Sequence, residues 1–384
     1  MTLTRSTDDA LAGGAGGGEG GRGTVELRGG LRPAPLPGRT PEERRVLRFA
    51  ADPRHRNAGA AHLVASARAD EADGLDSALV VASSAWPDPW AVAAWALAST
   101  TELRVALAHR IGTMAPTAAA RALQTLDRLS GGRAGVHLIL GSSDDDVRRD
   151  GDVLSKPERY ERAAEFLDVF TRTLTAAEPF DAPGPHFPVR DALSGLGPSD
   201  PRPEISFAGS SDAGIALAAR HADVYGIVRD TPERTRATVD RVRAEAAAHG
   251  RELRVWVHVR LLLGETDDAA HDAAERLVAH AGAAGAELAG LVGDPDWLAR
   301  VTPADARLLT AAELAARVRR GLGQTVIGSP STAAAELDAL RRAGVDVLQL
   351  ALPLEDEDDR ELRRALISEV RARASADAPA TAAR

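Results

Sequence analysis

The chain has 384 residues, 44% of them hydrophobic, which suffices for one large buried core. A formal charge of −9 leaves no basic footprint for a phosphate backbone and excludes a nucleic-acid binder, although a few local arginines could still hold an anionic substrate. With no cysteine there are no disulfides, thiolate metal sites or cysteine nucleophiles. No apolar run reaches the roughly 20 residues that cross a bilayer, and the N-terminal stretch lacks the apolar core of a signal peptide, so no membrane and a cytoplasmic location are expected.

The first segment, residues 1–42, is Gly-rich and is expected to be a disordered tail. Spacings around Gly16 to Gly23 resemble a dinucleotide fingerprint, but no strand precedes them and no helix follows, so the resemblance carries nothing. Residues 374–384, rich in Ala with Ser and Pro, form a second expected disordered end.

Between these ends, residues 43–373 read as one domain. Eight β-like runs lie at 46–50, 77–82, 103–109, 134–140, 204–209, 223–228, 253–263 and 345–352. Helical patterns follow them, as at 60–73, 116–129, 212–221 and 231–249. Strict β-then-α alternation predicts parallel strands with crossover helices. Eight such units predict an α/β chain closed as a (β/α)₈ TIM barrel, in preference to an open doubly wound sheet. Two connections, 141–203 and 264–344, are too long for a plain βα step and carry helical pattern at 157–177 and 267–279. They are insertions after strands 4 and 7, on the face where barrels build lids and substrate walls.

The seventh run gives the strongest site argument. Its odd positions, Leu253, Val255, Val257, Val259 and Leu261, are apolar and face the outer helices. Its even positions, Arg254, Trp256, His258 and Arg260, then face the barrel interior, and inward polar groups near the C-terminal end of a barrel strand are where catalytic residues sit. The bland alternative is a structural ion pair with an interior carboxylate such as Asp223 or Asp346. The run ending at Ala208 passes directly into Gly209, Ser210 and Ser211 before a helical pattern. Free backbone N–H groups, two hydroxyls and a positive helix end there suit a phosphate, while either serine could equally be an ordinary N-cap. Asp144–Asp146 and Glu355–Asp359 give no metal geometry and read as solvated acidic surface, so no metal is expected.

Several blocks resemble the luciferase-like flavin-dependent monooxygenases, in their alkanesulfonate monooxygenase branch. These are Pro116 to Arg121, then Asp127, Arg128, Gly131 and Gly132, then Gly141-Ser142, then Glu158 to Glu161 opening a long helix. Ala208 to Asp212, Ala247 to Arg251 and Gly264 to Ala269 follow in the family's order, so that the resemblance covers residues 59–366. Asp127 to Gly132 has its own physical reading as a helix stop before a strand. The resemblance implies reduced FMN delivered by a separate NAD(P)H:flavin reductase, O₂ as co-substrate, a small organic substrate and a homo-oligomer. It also implies that Gly209, Ser210, Ser211 and Tyr160 hold the flavin phosphate and that His109 and Ser142 lie beside the ring. Arg260 would then steady a negative charge and His258 would move a proton.

The chain departs from that branch in four places. Trp86 stands near the family's loop cysteine, and His258-Val259-Arg260 reverses the family's Arg-x-His. Leu350, Ala351 and Leu352 occupy the region of a family tyrosine, and the arginine-bearing lid is shortened within 294–309. Two rival readings therefore stand beside the monooxygenase: a deazaflavin-dependent hydride-transfer enzyme on the same barrel, and a non-catalytic flavin-binding paralogue.

Overall fold

The computed structural model describes residues 25–36, 38–49, 58–84, 86–141, 143–209, 211–283 and 310–377. The chain opens with β1 (Glu26–Leu31), α1 (Pro41–Phe49), α2 (Ala60–Ala72), β2 (Ser77–Val80), α3 (Pro89–Ser99), β3 (Arg104–Arg110), α4 (Pro116–Ser130) and β4 (Ala134–Ile139). The first long connection holds α5 (Asp144–Arg149), α6 (Lys156–Thr175) and a hairpin of β5 (Phe180–Ala182) with β6 (Val189–Ala192). Then come β7 (Ile205–Ala208), α7 (Asp212–His221), β8 (Val224–Ile227), α8 (Pro232–Ala248) and β9 (Arg254–Leu263). The second long connection holds α9 (Asp267–Ala283), α10 (Ala311–Leu322), β10 (Thr325–Gly328) and α11 (Pro330–Arg342), before β11 (Val347–Ala351) and α12 (Glu357–Ala376).

Every barrel pairing is parallel. β1, β2, β3, β4, β7, β8, β9 and β11 follow one another in chain order, and β11 returns to β1 to close an eight-stranded (β/α)₈ barrel. Closure is what eight consecutive βα units achieve without leaving an edge. β9 is longer than its neighbours. β8 covers its first half up to Val257, and β10 takes over beside it from Arg260 to Leu263, so β9 rises above the barrel rim.

One expected strand is a helix, and one expected tail segment is a strand. Residues 46–49 belong to α1, where Pro41 starts the helix, Glu42 and Glu43 favour its positive end, and Val46, Leu47 and Phe49 bury one face. The first barrel strand is instead Glu26–Leu31, inside the segment expected to be disordered. The first of its two glycines answers a packing demand: a Cβ on Gly29 would stand 2.5 Å from Asp70 Oδ2 and 2.8 Å from Leu75 Cδ1. At the other end α12 continues through Ala376 with Ala374 buried, so residues 374–376 are also ordered. Residues 1–24 and 378–384 lie outside the described residues.

The main core lies between the barrel wall and its helices, where β-branched and leucine side chains such as Val255, Val257 and Val259 meet α-helical Leu and Ala. The barrel's N-terminal end is filled by charge. Glu26 accepts from Arg28 at 3.1 Å and Arg254 at 2.9 Å, lies 3.0 Å from Arg104, and takes the Ser77 hydroxyl at 2.6 Å. Glu204 bonds Arg28 at 3.3 Å and also pairs with Arg254. Burial alone would raise the Glu26 pKa, but Arg28, Arg104, Arg254 and the Ser77 hydroxyl more than offset it and hold the carboxyl well below its ordinary range. α4 stops as the sequence suggests, with Gly131 in the left-handed region at φ 70° and the Gly132 N–H bonded to Asp127 O.

Candidate functional site

The C-terminal ends of the barrel strands form two hollows on opposite sides of the mouth. The first, of about 640 Å³, lies over β7, β8 and β9. Period two on β9 brings Trp256, His258 and Arg260 to its wall, in the inward direction expected. Trp256 fits because β8 offers Gly226 beside it, where a Cβ would be 2.5 Å from the indole ring. The indole meets His137 edge-on at 5.5 Å, and its Nε1–H has no hydrogen-bond partner although the residue is only 9% exposed.

Neither interior carboxylate considered as a structural partner reaches this pair. Asp223 is held by Arg202 at 2.7 Å and Arg251 at 3.2 Å, and Asp346 by Arg243 at 2.8 Å. Among the described residues Arg260 has no ion-pair or hydrogen-bond partner. His258 opens into the hollow, yet the protein around it and then the Arg260 cation push its pKa down to about 4. It is therefore neutral near pH 7, and moving a proton there requires a ligand that brings negative charge beside it.

The second hollow, of about 500 Å³, lies between the ends of β2, β3 and β4 and includes Trp86, Trp90, His109, Arg110 and Met114. His109 and Arg110 leave the strand on opposite sides. His109 packs between Trp90 of α3 and Phe166 of α6, with ring centroids at 5.5 and 5.8 Å. The Trp90 indole N–H donates to His109 Nδ1 at 3.3 Å. An indole only donates, so Nδ1 carries no proton and the ring is the Nε2–H tautomer. Burial pushes its pKa down to about 4, and Nε2 has no partner. Arg110 is neutralised by Asp146 at 2.9 Å and by Asp150.

Asp146 also accepts from Ser83 Oγ at 3.0 Å and Ser84 Oγ at 2.8 Å, pinning the loop after β2 to α5. The acidic run divides: Asp144 and Asp145 are exposed as expected, with Asp144 bonding Arg159 at 2.8 Å, whereas Asp146 is buried. Glu355 likewise bonds Arg44 at 2.8 Å. Nearby arginines, invisible to a local reading, hold Asp146 and Glu355, while Asp145, Glu357 and Asp358 stay exposed as expected.

The turn after β7 joins the first hollow through Gly209. Ser211 caps α7, its Oγ accepting from the Gly214 N–H at 3.2 Å, and it shares a 2.8 Å hydrogen bond with the Tyr160 hydroxyl of α6. The structure therefore brings Gly209, Ser211 and Tyr160 together, and the N-cap and ligand readings of Ser211 are compatible. Ser142 and Ser210 lie outside the described residues. Gly141, beside Ser142, has φ 99° and would place a Cβ 2.1 Å from Val147 Cγ1, which requires glycine there. His258 and Arg260 form one group over β9, and His109 stands apart in the second hollow. Sequence reasoning missed Tyr225 and Asp146, since their contacts depend on helix packing that no local pattern encodes.

Among solved structures the chain is similar to a riboflavin lyase, RcaE, whose crystal structure holds modified FMN and riboflavin, with TM-score 0.71 and 17% identity over 91% of this chain and 92% of that one. It is similar to EDTA monooxygenase, EmoA, from Chelativorans sp. BNC1, with TM-score 0.67 and 19% identity over 91% and 94%. It is also similar to an F420-dependent secondary alcohol dehydrogenase in complex with an F420–acetone adduct, with TM-score 0.64 and 17% identity over 90% and 99%. At these identities the likeness shows a shared fold. The family model described as luciferase-like monooxygenase matches residues 46–347. The chain belongs to the luciferase-like monooxygenase family.

Proposed function

We propose that this protein is the oxygenating component of a two-component system, using reduced FMN supplied by a separate NAD(P)H:flavin reductase to oxygenate a small organic substrate. The observation that carries the reading is the turn at Gly209 and Ser211, closed by Tyr160 and continuous with a hollow walled by unbonded donors. A flavin fits these residues: its phosphate at a glycine- and hydroxyl-lined helix start, its acceptor-rich ring toward the mouth. When bound, reduced flavin supplies the electrons that let one atom of O₂ enter the substrate while the other leaves as water.

The chain's own residues set the conditions for that chemistry. Gly209, Ser211 and Tyr160, with Ser210, would hold the phosphate end, and Ser142 would lie beside the ring. Arg260, unpaired with any carboxylate among the described residues, would steady negative charge on the ligand side, and His258, neutral at rest, would take up a proton once that charge is beside it. His109 would present its Nε2–H to an acceptor in the second hollow.

Trp86 near the family's cysteine position and Leu350 to Leu352 in the region of its tyrosine favour a substrate other than a short alkanesulfonate. The test is binding and turnover with FMN, FAD and a deazaflavin. Oxygen-dependent turnover with reduced FMN and a reductase is the expected result, and turnover under strict anoxia with the reduced deazaflavin would establish the hydride-transfer reading instead. Replacing Ser210 and Ser211 together by Ala should weaken reduced-FMN binding by about 1–3 kcal/mol. Unchanged affinity in a folded variant removes the phosphate assignment.

A further inference from the structure

Beneath the same turn lies a hydroxyl that nothing described so far uses. Tyr225 is the second residue of β8, in register with Val255 of β9, and its side chain points outward toward α7. It is 0% exposed, and its Oη has no hydrogen-bond partner. A buried hydroxyl left unbonded is costly, so the position demands a reason.

Geometry shows where the hydroxyl points. A Cβ on Gly209 would lie 3.2 Å from Tyr225 Oη and 3.7 Å from Tyr160 Oη. A Cβ on Gly214 would lie 3.2 Å from Tyr225 Oη, 3.4 Å from Ser211 Oγ and 3.4 Å from Tyr160 Oη. Two glycines thus leave a notch at the start of α7 into which three hydroxyls converge. Tyr160 and Ser211 bond each other, and Tyr225 is the one without an acceptor. Burial holds the Tyr225 phenol protonated, well above its ordinary range, so it enters the notch as a donor at any working pH.

We propose that the Tyr225 hydroxyl donates a hydrogen bond to the terminal phosphate of the bound flavin, and that Gly209 and Gly214 are glycines because this notch must admit it. The proposal rests on the flavin reading above and deepens it. It makes the site selective for a phosphorylated flavin, since riboflavin offers no acceptor at that point. The ten-residue α7 contributes its free N–H groups to the same place.

The test is an anaerobic titration of the full chain with reduced FMN and with reduced riboflavin, followed by tryptophan fluorescence. The parent should prefer FMN. Tyr225→Phe should weaken FMN about 10-fold or more, the weight of one hydrogen bond to a charged group, and leave riboflavin within twofold. Gly214→Ala guards against a folding artefact: alanine is the better helix former, so α7 should not weaken, while the added methyl crowds all three hydroxyls and should produce the same FMN-selective loss. If Tyr225→Phe binds FMN within twofold of the parent, the hydroxyl has a different partner and the assignment is overturned. Equal weakening of both flavins also overturns it, because the residue then supports the fold or the ring. A parent that binds neither flavin removes the flavin reading and this proposal together. A parent that binds both equally well removes only the phosphate contact.

Discussion

Arg254 and Arg260 stand on one face of β9, six residues and about 20 Å apart at 3.3 Å per residue. Their surroundings predict opposite consequences when each is replaced by alanine. Arg254 bonds Glu26 at 2.9 Å and also pairs with Glu204, whose side chains are 6% and 24% exposed. Removing it leaves two carboxylates short of a counter-charge. Stripping one partner from a fully buried pair costs about 3–5 kcal/mol, and the 40% exposure of the Arg254 side chain reduces that to about 2 kcal/mol. Among the described residues Arg260 has no carboxylate partner, so its loss strands none of them, and stability should stay within about 0.5 kcal/mol of the parent. Turnover should nevertheless fall by about 100-fold, as expected when a preformed positive group is removed from a site where charge develops. Urea unfolding of both variants, with steady-state rates on the same samples, measures the two effects. The reasoning fails if Arg260→Ala loses 2 kcal/mol or more, which would reveal a structural partner. It fails equally if Arg260→Ala and His258→Ala both keep turnover within about twofold.

The acid limb of stability should report Glu26. Its pKa is depressed in the folded chain, so its contribution is full above its ordinary value of 4.5 and is lost as pH falls below it; the stability gap between parent and Glu26→Gln should therefore be constant above about pH 5 and shrink in more acidic solution. A gap that persists unchanged to pH 3 contradicts the assignment. For substrate scope, a short alkanesulfonate supplied with FMN, NADH and a reductase should release little or no sulfite, and efficient release would contradict the weight given to Trp86 and to the missing tyrosine.

Seven of the eight barrel strands were legible because apolar runs and turn residues marked them without help from distant parts of the chain. The first was not. Glu26–Leu31 carries two glycines and two charges, and it is a strand because Glu26 and Arg28 complete the ionic layer and because Gly29 admits Asp70 and Leu75 against its backbone. A composition that reads as flexible is there a record of close approach. The site divides in the same way. Alternation along β9 placed Trp256, His258 and Arg260 correctly, since side-chain direction in a strand is local. The roles of Tyr225 and Asp146 depend on which helix packs over which strand end. His109 shows the limit of local reasoning: strand position predicted its height in the barrel, but the ring faces Trp90 and Phe166 on the helix side.

Buried hydrogen-bonding groups without a partner occur at both ends of the barrel, Arg28 Nη1 and Arg251 Nε among them at the N-terminal end, and those at the mouth bear on a ligand. At the N-terminal end two carboxylates and a serine are set among three guanidinium groups within bonding distance. At the mouth, Trp256 Nε1, His109 Nε2 and Tyr225 Oη are all buried and all without a partner. The indole can only donate, the tautomer fixed by Trp90 makes His109 Nε2 a donor, and the phenol stays protonated. Arg260 adds a cation to the same rim. Donors at the start of α7 and around the two hollows suit an extended, acceptor-rich ligand. A flavin mononucleotide has that chemistry, with phosphate oxygens at one end and ring carbonyls and nitrogens at the other. The arrangement therefore supports a cofactor lying across the mouth from α7 toward β9, which is also the geometry that makes the loss of one tyrosine hydroxyl selective for the phosphorylated form.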